Sequence, residues 1–173
     1  MTTFIEIQQE FGRCCRANDG MSCIFTRTLN DGTRKMIANR LNKYAAQLDW
    51  NRVIGLVDVS KRHDATAGIL VCDTKAYFYG GRNKPQKVWY DEVSRIAILR
   101  TEEGFDYGVK FELDSNADYL WKCDVVDCEA ITKLIKSIKR INRAAAEEYS
   151  RVNLEYENEA AGIEVGGLTV GSR

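Results

Sequence analysis

Apolar positions along the chain change their period twice, and the changes divide it into three stretches. In the first, Phe4, Ile7, Phe11, Cys14 and Cys15 recur at helical spacing. Thr3 followed by Glu6 has the form of a capping box, in which the hydroxyl accepts from an early backbone N–H and the carboxylate reaches back. Asn18-Asp-Gly20 predicts a stop or turn. Met21 to Thr28 is apolar and rich in strand formers but short, and Asn30-Asp-Gly32 marks another turn. Ile37, Leu41, Tyr44, Ala45 and Leu48 then form a second stripe, predicting a helix from about Thr33 to Leu48. Arg34, Lys35, Arg40 and Lys43 decorate its other faces as solvated heads on apolar stems.

From Arg52 the pattern shortens to β-branched runs separated by turn residues. Arg52–Ser60 and Gly68–Cys72 are near-continuous apolar runs, with the polar break Lys61–Thr66 between them. Asp73-Thr-Lys75 turns the chain into Ala76–Tyr79. Gly80–Pro85 reads as a loop, because paired glycines and the only proline fall there. Lys87–Tyr90 and Val93–Arg100 are further strands. Asp106–Leu113 alternates with period two, setting Tyr107, Val109, Phe111 and Leu113 on one face. Ala117–Cys123 completes seven short strands at close spacing, the pattern of a small antiparallel β-barrel or sandwich.

Helical spacing then returns. Asp127 suits an N-cap and Glu129 the first turn. Ile131, Leu134, Ile135, Ile138 and Ala145 form a stripe, with Lys133, Lys136, Lys139 and Arg140 outside it. Such a helix, following the last strand, caps an open end of the sheet. After Tyr149 the chain turns acidic and then Gly-rich, and a tail or a hairpin about Gly166-Gly167 both fit. The chain is thus expected to be α+β: an N-terminal helical segment over 1–50, a seven-stranded β-domain with a C-terminal closing helix over 51–148, and a tail over 149–173.

Composition narrows the function classes. The 173 residues are 45% hydrophobic and 29% charged, enough for a core without metal or disulfide staples. With 25 basic and 25 acidic residues the net charge is zero, which argues against a nucleic-acid binder. No basic leader precedes an apolar run, and no run of about 18 apolar residues exists, so a cytoplasmic chain without a membrane span is expected. Cys14, Cys15, Cys23, Cys72, Cys123 and Cys128 form no CxxC pair, and His63 is the sole histidine. The cysteines therefore read as reduced, buried thiols, with neither metal nor cofactor expected. There is no P-loop and no G-x-G-x-x-G. His63 lies in a charged loop without a nucleophile beside it, and the adjacent pairs Asp91-Glu92 and Glu102-Glu103 diverge at turns. No catalytic residue is assigned, and the chain is expected not to be an enzyme.

The run Ala67-Gly-Ile-Leu-Val-Cys-Asp-Thr-Lys-Ala-Tyr-Phe-Tyr-Gly80, followed by Tyr90-Asp-Glu-Val93, resembles the hallmark hairpin and Y-x-x-I of bacterial pleckstrin-homology-like (PH-like) domains. The resemblance covers about Asn51 to Arg143, and Ala76 stands where many members carry an arginine. It implies a non-catalytic, cytoplasmic binding module with a protein partner. Relatives of that fold also bind anionic lipid headgroups between strand loops. The matching positions are Lys61, Arg62 and His63 in one loop and Arg82, Lys84 and Lys87 in the next. A further reading is an immunity protein that neutralises a toxin through an acidic face. Glu102, Glu103 and Asp106, or Glu147, Glu148, Glu155, Glu157 and Glu159, are the candidates.

Overall fold

The structure, a computed structural model, describes residues 2–17, 22–123 and 127–162. Among them are helix α1 (Thr2–Ala17), strand β1 (Ser22–Phe25) and helix α2 (Asp31–Leu41). Strands β2 (Val53–Asp58), β3 (Gly68–Cys72), β4 (Lys75–Gly80) and β5 (Asn83–Trp89) follow. Then come β6 (Val93–Arg100), β7 (Asp106–Leu113), β8 (Asp118–Lys122) and the long helix α3 (Cys128–Ala160). All strand pairs are antiparallel, in a five-stranded sheet β1-β2-β3-β4-β5 and a three-stranded sheet β6-β7-β8. The described residues therefore hold eight strands rather than seven, in two sheets rather than a closed barrel.

The extra strand is β1. It lies in the segment expected to be helical and pairs with β2 from Ser22 opposite Asp58 to Phe25 opposite Gly55. Gly55 permits this junction. A Cβ there would sit 2.5 Å from Phe11 Cε1 and 2.6 Å from the Ile24 carbonyl, so only glycine lets α1 and β1 close on β2 together. Cys15 and Cys23 form a disulfide between α1 and β1, with Cα atoms 5.7 Å apart. This corrects the expectation that all six cysteines are reduced. The partners become neighbours only through the chain reversal that the spacing of the cysteines does not reveal. The predicted turn Asn18-Asp-Gly20 lies outside the described residues.

The five-stranded sheet is covered on both faces, which is why β2 and β3 read as unbroken apolar runs. One face brings Ile54, Val57, Ile69, Val71, Phe78 and Val88 against Val109, Phe111 and Trp121 of the other sheet. Ile7 and Phe11 of α1 and Ile131, Leu134, Ile135 and Ile138 of α3 join the same cluster, so the core does not stop at Asn51. On the opposite face Leu56, Leu70, Tyr77 and Tyr79 pack against Ile37 and Leu41 of α2. Tyr90 is fully buried and its hydroxyl donates to the Cys72 carbonyl at 2.8 Å.

Four boundaries differ from expectation. Helix α1 already includes Thr2, so Thr3 is a helical residue and not the cap. The predicted second helix stops at Leu41, because Asn42 takes φ 52, and Asn42–Gln47 continue as a 3-10 helix. Strand β5 starts at Asn83 and contains Pro85, where a loop was expected. It is an edge strand, and its register shifts between Phe78 and Gly80 opposite the proline, so no ladder donor is missed. Helix α3, capped by Asp127 accepting from Glu129 N and Ala130 N, runs past Glu148 to Ala160. Nothing in Tyr149–Ala160 breaks a helix, and Arg151 bridges Glu148 and Glu155 one turn to each side. The proposed hairpin about Gly166-Gly167 lies outside the described residues.

Candidate functional site

The β2–β3 loop is built around one buried carboxylate. Asp58 Oδ1 accepts from Ser60 N at 2.9 Å and Ser60 Oγ at 2.6 Å, and Oδ2 accepts from Ala65 N at 3.1 Å. Ser60 Oγ in turn accepts from Asp64 N, and the Tyr79 hydroxyl donates to the Ala65 carbonyl. Inside this ring of bonds His63 and Ala65 hold positive φ values of 53 and 60, a conformation that persists only where its surroundings enforce it. The loop's backbone is thereby tied to Asp58 near both of its ends, at Ser60 and at Ala65.

The β4–β5 turn faces this loop. Gly80 takes φ 80, and a Cβ on it would lie 2.3 Å from the Thr66 carbonyl, so the two loops touch through glycine. Three residues on, the Asn83 side chain donates to the Lys122 carbonyl and accepts from Lys122 N, both at 2.8 Å. This amide copies a backbone pair and clips the edge of β5 to the edge of β8, joining the two sheets. Between the loops and the clip lies an open cleft of about 700 Å3 lined by Lys61, Arg62, Asp64, Arg82, Tyr107 and Lys122, among others.

Three of the six predicted cationic residues, Lys61, Arg62 and Arg82, thus line one cleft. His63 is exposed on the same loop but is not part of the lining. Lys84 is exposed on β5, outside the lining. Lys87 lies opposite Tyr77, on the face that carries α2; its Nζ donates to Gln47 Oε1 at 2.8 Å and sits 5.1 Å from the Trp89 ring centroid. Lys122 was missed, since only the Asn83 clip brings it 39 residues back to the turn. Among the described residues, none of Lys61, Arg62, Arg82 and Lys122 is in an ion pair. Asp64 is the one carboxylate of the lining. A hydrogen bond from the Thr66 hydroxyl holds it below the usual carboxylate range, so it remains an anion amid four cations. Guanidinium and ammonium groups spaced around a cleft suit a phosphate or carboxylate guest.

The acidic candidates separate. Glu102 and Glu103 are exposed in the β6–β7 turn, whereas Asp106 is held by Arg100 at 2.8 Å. Between them Phe105 is 68% exposed, an apolar residue that the sequence reading passed over. On α3, Glu147 pairs with Arg143, and Glu148 and Glu155 pair with Arg151. The same part of α3 carries a second missed feature: Tyr149, Val152 and Tyr156 are 71%, 47% and 72% exposed on one side of the helix. The signal was present as an 11-residue repeat in which Ile138, Ile141 and Ala145 are followed by Tyr149, Val152 and Tyr156.

Other chemistry is sparse. Cys72 and Cys128 are buried thiols, pushed up to about 12 and about 11 by burial, and are poor nucleophiles. Among the described residues no group of three or more His, Cys, Asp or Glu side chains converges as a metal site would. No described helix is long and apolar enough to cross a membrane. Comparison with family models, with curated proteins and with solved structures found no match.

Proposed function

We propose that the chain is a non-catalytic protein-binding module with a PH-like core. The observation that carries the reading is the aromatic stripe Tyr149, Val152 and Tyr156, left exposed where α3 continues beyond its last tertiary bond, from Asn142 to the Asp73 carbonyl. Rigid helical aromatics offer large contact area at little entropic cost, as binding surfaces need. The PH-like part is supported by strand order: with β1 set aside, four strands, three strands and a helix follow one another. An inhibitor of a toxin is one form of this reading, with Phe105 between Glu103 and Asp106 as its contact face. The test is capture from native lysate by the immobilised full chain and by a Tyr149→Ser, Tyr156→Ser variant. A partner held by the first and lost by the second supports the reading; identical capture by both refutes it.

The cleft favours a second reading, recognition of an anionic headgroup by Lys61, Arg62, Arg82 and Lys122. Sedimentation with anionic vesicles at low salt tests it. Binding by the native chain that is lost in Arg82→Glu, Lys122→Glu supports headgroup recognition, and no binding by the native chain removes it.

A further inference from the structure

A second group of cations stands where α1 meets β1. An open groove of about 510 Å3 runs between them and shares no lining residue with the cleft. Ile5, Gln8, Gly12, Arg13 and Arg16 of α1 form one wall. Phe25, at the end of β1, and Thr26 and Arg27 of the following 3-10 turn form the other, with Ile54 of β2 also in the lining. Both walls are anchored. Ile7 and Phe11 bury the inner side of α1, and the bridge from Cys15, next to Arg16, to Cys23 ties α1 to β1. The Thr26 hydroxyl donates to the Val53 carbonyl at 2.7 Å, and Arg34 Nη2 donates to the Thr26 carbonyl at 2.9 Å. The groove is thus largely formed before any guest arrives.

Two guanidinium groups converge on one ring. Arg27 Cζ lies 5.8 Å from the Phe25 ring centroid. From the opposite wall, Arg16 Nη1 and Phe25 Cζ each lie 3.3 Å from the point where a Cβ on Gly12 would stand, so Arg16 crosses the bare backbone of Gly12 toward the ring edge. Arg13 is paired with Glu10, but among the described residues neither Arg16 nor Arg27 has a carboxylate partner. No carboxylate belongs to the lining. Three guanidinium groups against the one carboxylate of Glu10 leave two positive charges uncompensated. A dianion matches that charge, and the two planar forks match the oxygens of a phosphate. Ile5, 49% exposed, and the Phe25 ring offer apolar surface beside them. A groove of this volume has the size of a small-molecule site rather than of a protein footprint.

We infer that this groove binds a small organic phosphate monoester, its phosphate held between Arg16 and Arg27 and its apolar stem laid along Phe25 and Ile5. The site is separate from the cleft and from the α3 stripe. Phenyl phosphate titrated into the full chain at low salt, followed by amide chemical shifts, tests it. The expected result is saturable binding with a dissociation constant of about 1 mM or lower, and shifts centred on Gly12, Arg16 and Arg27. Inorganic phosphate, which lacks the stem, and phenol, which lacks the charge, should each bind at least about tenfold more weakly. Arg16→Gln and Arg27→Gln should each weaken binding about tenfold through the lost charge-assisted hydrogen bonds. Both side chains are exposed, and circular dichroism checks that the variants stay folded. Binding should also weaken as pH falls through about 6, where the phosphate takes up its second proton while the arginines stay charged. No saturation by about 10 mM, indifference to both arginine variants, or a control ligand that binds as tightly as phenyl phosphate overturns the proposal. Shifts centred on Lys61 and Lys122 also overturn it, because they place the anion in the cleft and support the headgroup reading instead.

Discussion

Replacing Asp58 by alanine is the sharpest probe of how the cleft is held. The carboxylate is 3% exposed and accepts three hydrogen bonds from its own loop. Bonds to a charged acceptor contribute about 1.5–3 kcal/mol each, so three bonds set a ceiling of about 5–9 kcal/mol. Two effects bring the net loss well below that ceiling. Removing the carboxylate also removes the cost of burying it. The loop lies at the surface, with Lys61 to Asp64 exposed, so it can open and hydrate the freed N–H groups. The expected net loss is about 3 kcal/mol, which lowers Tm by roughly 6–12 °C for a domain of this size. Asp58→Asn keeps the shape and one acceptor but turns an NH2 toward a donor, and should lose about half as much. Thermal melts measure the loss. Hydrogen exchange at the amides of Ser60 and Ala65 checks its cause, because both should exchange with the open loop. A melting point within about 2 °C of the native chain, with Ala65 still protected, would refute the reasoning.

The two turn glycines should differ. Gly80→Ala forces a Cβ to 2.3 Å from the Thr66 carbonyl and should lose at least about 3 kcal/mol, whereas Gly81→Ala meets open space and should lose about 1–2 kcal/mol for its φ of 62. Equal melting points for the two variants would contradict this. Reducing Cys15–Cys23 opens a small loop, since the bonded residues are 8 apart in sequence, and should lower stability by about 2.5 kcal/mol in a urea titration with and without reductant. Stability should also fall above pH 10. Burial raises Tyr77 to about 12 and also pushes Tyr79, Tyr90 and Tyr119 well above their ordinary value. The folded state disfavours their phenolates, so their contribution is complete below the ordinary value of 10 and lost as pH rises beyond it. Absorbance of these phenolates should appear together with unfolding, and their ionisation in a chain that stays folded would contradict the assignment.

What the sequence revealed, and what it hid, follows the distance over which each feature is determined. Gly68–Cys72, Val93–Arg100 and Asp106–Leu113 are bounded by their own turn residues, and each matches its strand residue for residue. The four residues of β1 carry no such signal, because they become a strand only by pairing with β2 some 30 residues later. Pro85 argued locally for a loop and lost to an edge position where its missing N–H does no harm. In the cleft, Lys61 and Arg62 are neighbours in one loop, and Arg82 sits on the turn that touches it through Gly80. Lys122 enters through an amide clip whose partners nothing in the sequence links. Lys87 left the group because β5 begins earlier than expected, and its alternation sends that side chain to the face shared with α2. The α3 stripe was legible as a repeat but was cut short at Glu148, where rising acidity masked an unbroken helical period.

The disulfide bears on where such a chain can work. Bridges of this kind persist in oxidising surroundings and are rare in reducing ones, so Cys15–Cys23 sits uneasily with the cytoplasmic location expected from the lack of a basic leader and of a long apolar run. The contacts at that junction do not depend on it. Ile7 and Phe11 are fully buried in the main cluster, and the Phe11 ring meets Phe25 edge-on at 5.3 Å. With the bridge open, α1 would still be held by these apolar contacts, while β1 kept its pairing to β2. The bridge therefore adds stability to an arrangement that packing already specifies. The fold is compatible with either compartment, and the redox state of this one pair in the cell is the observation that decides between them.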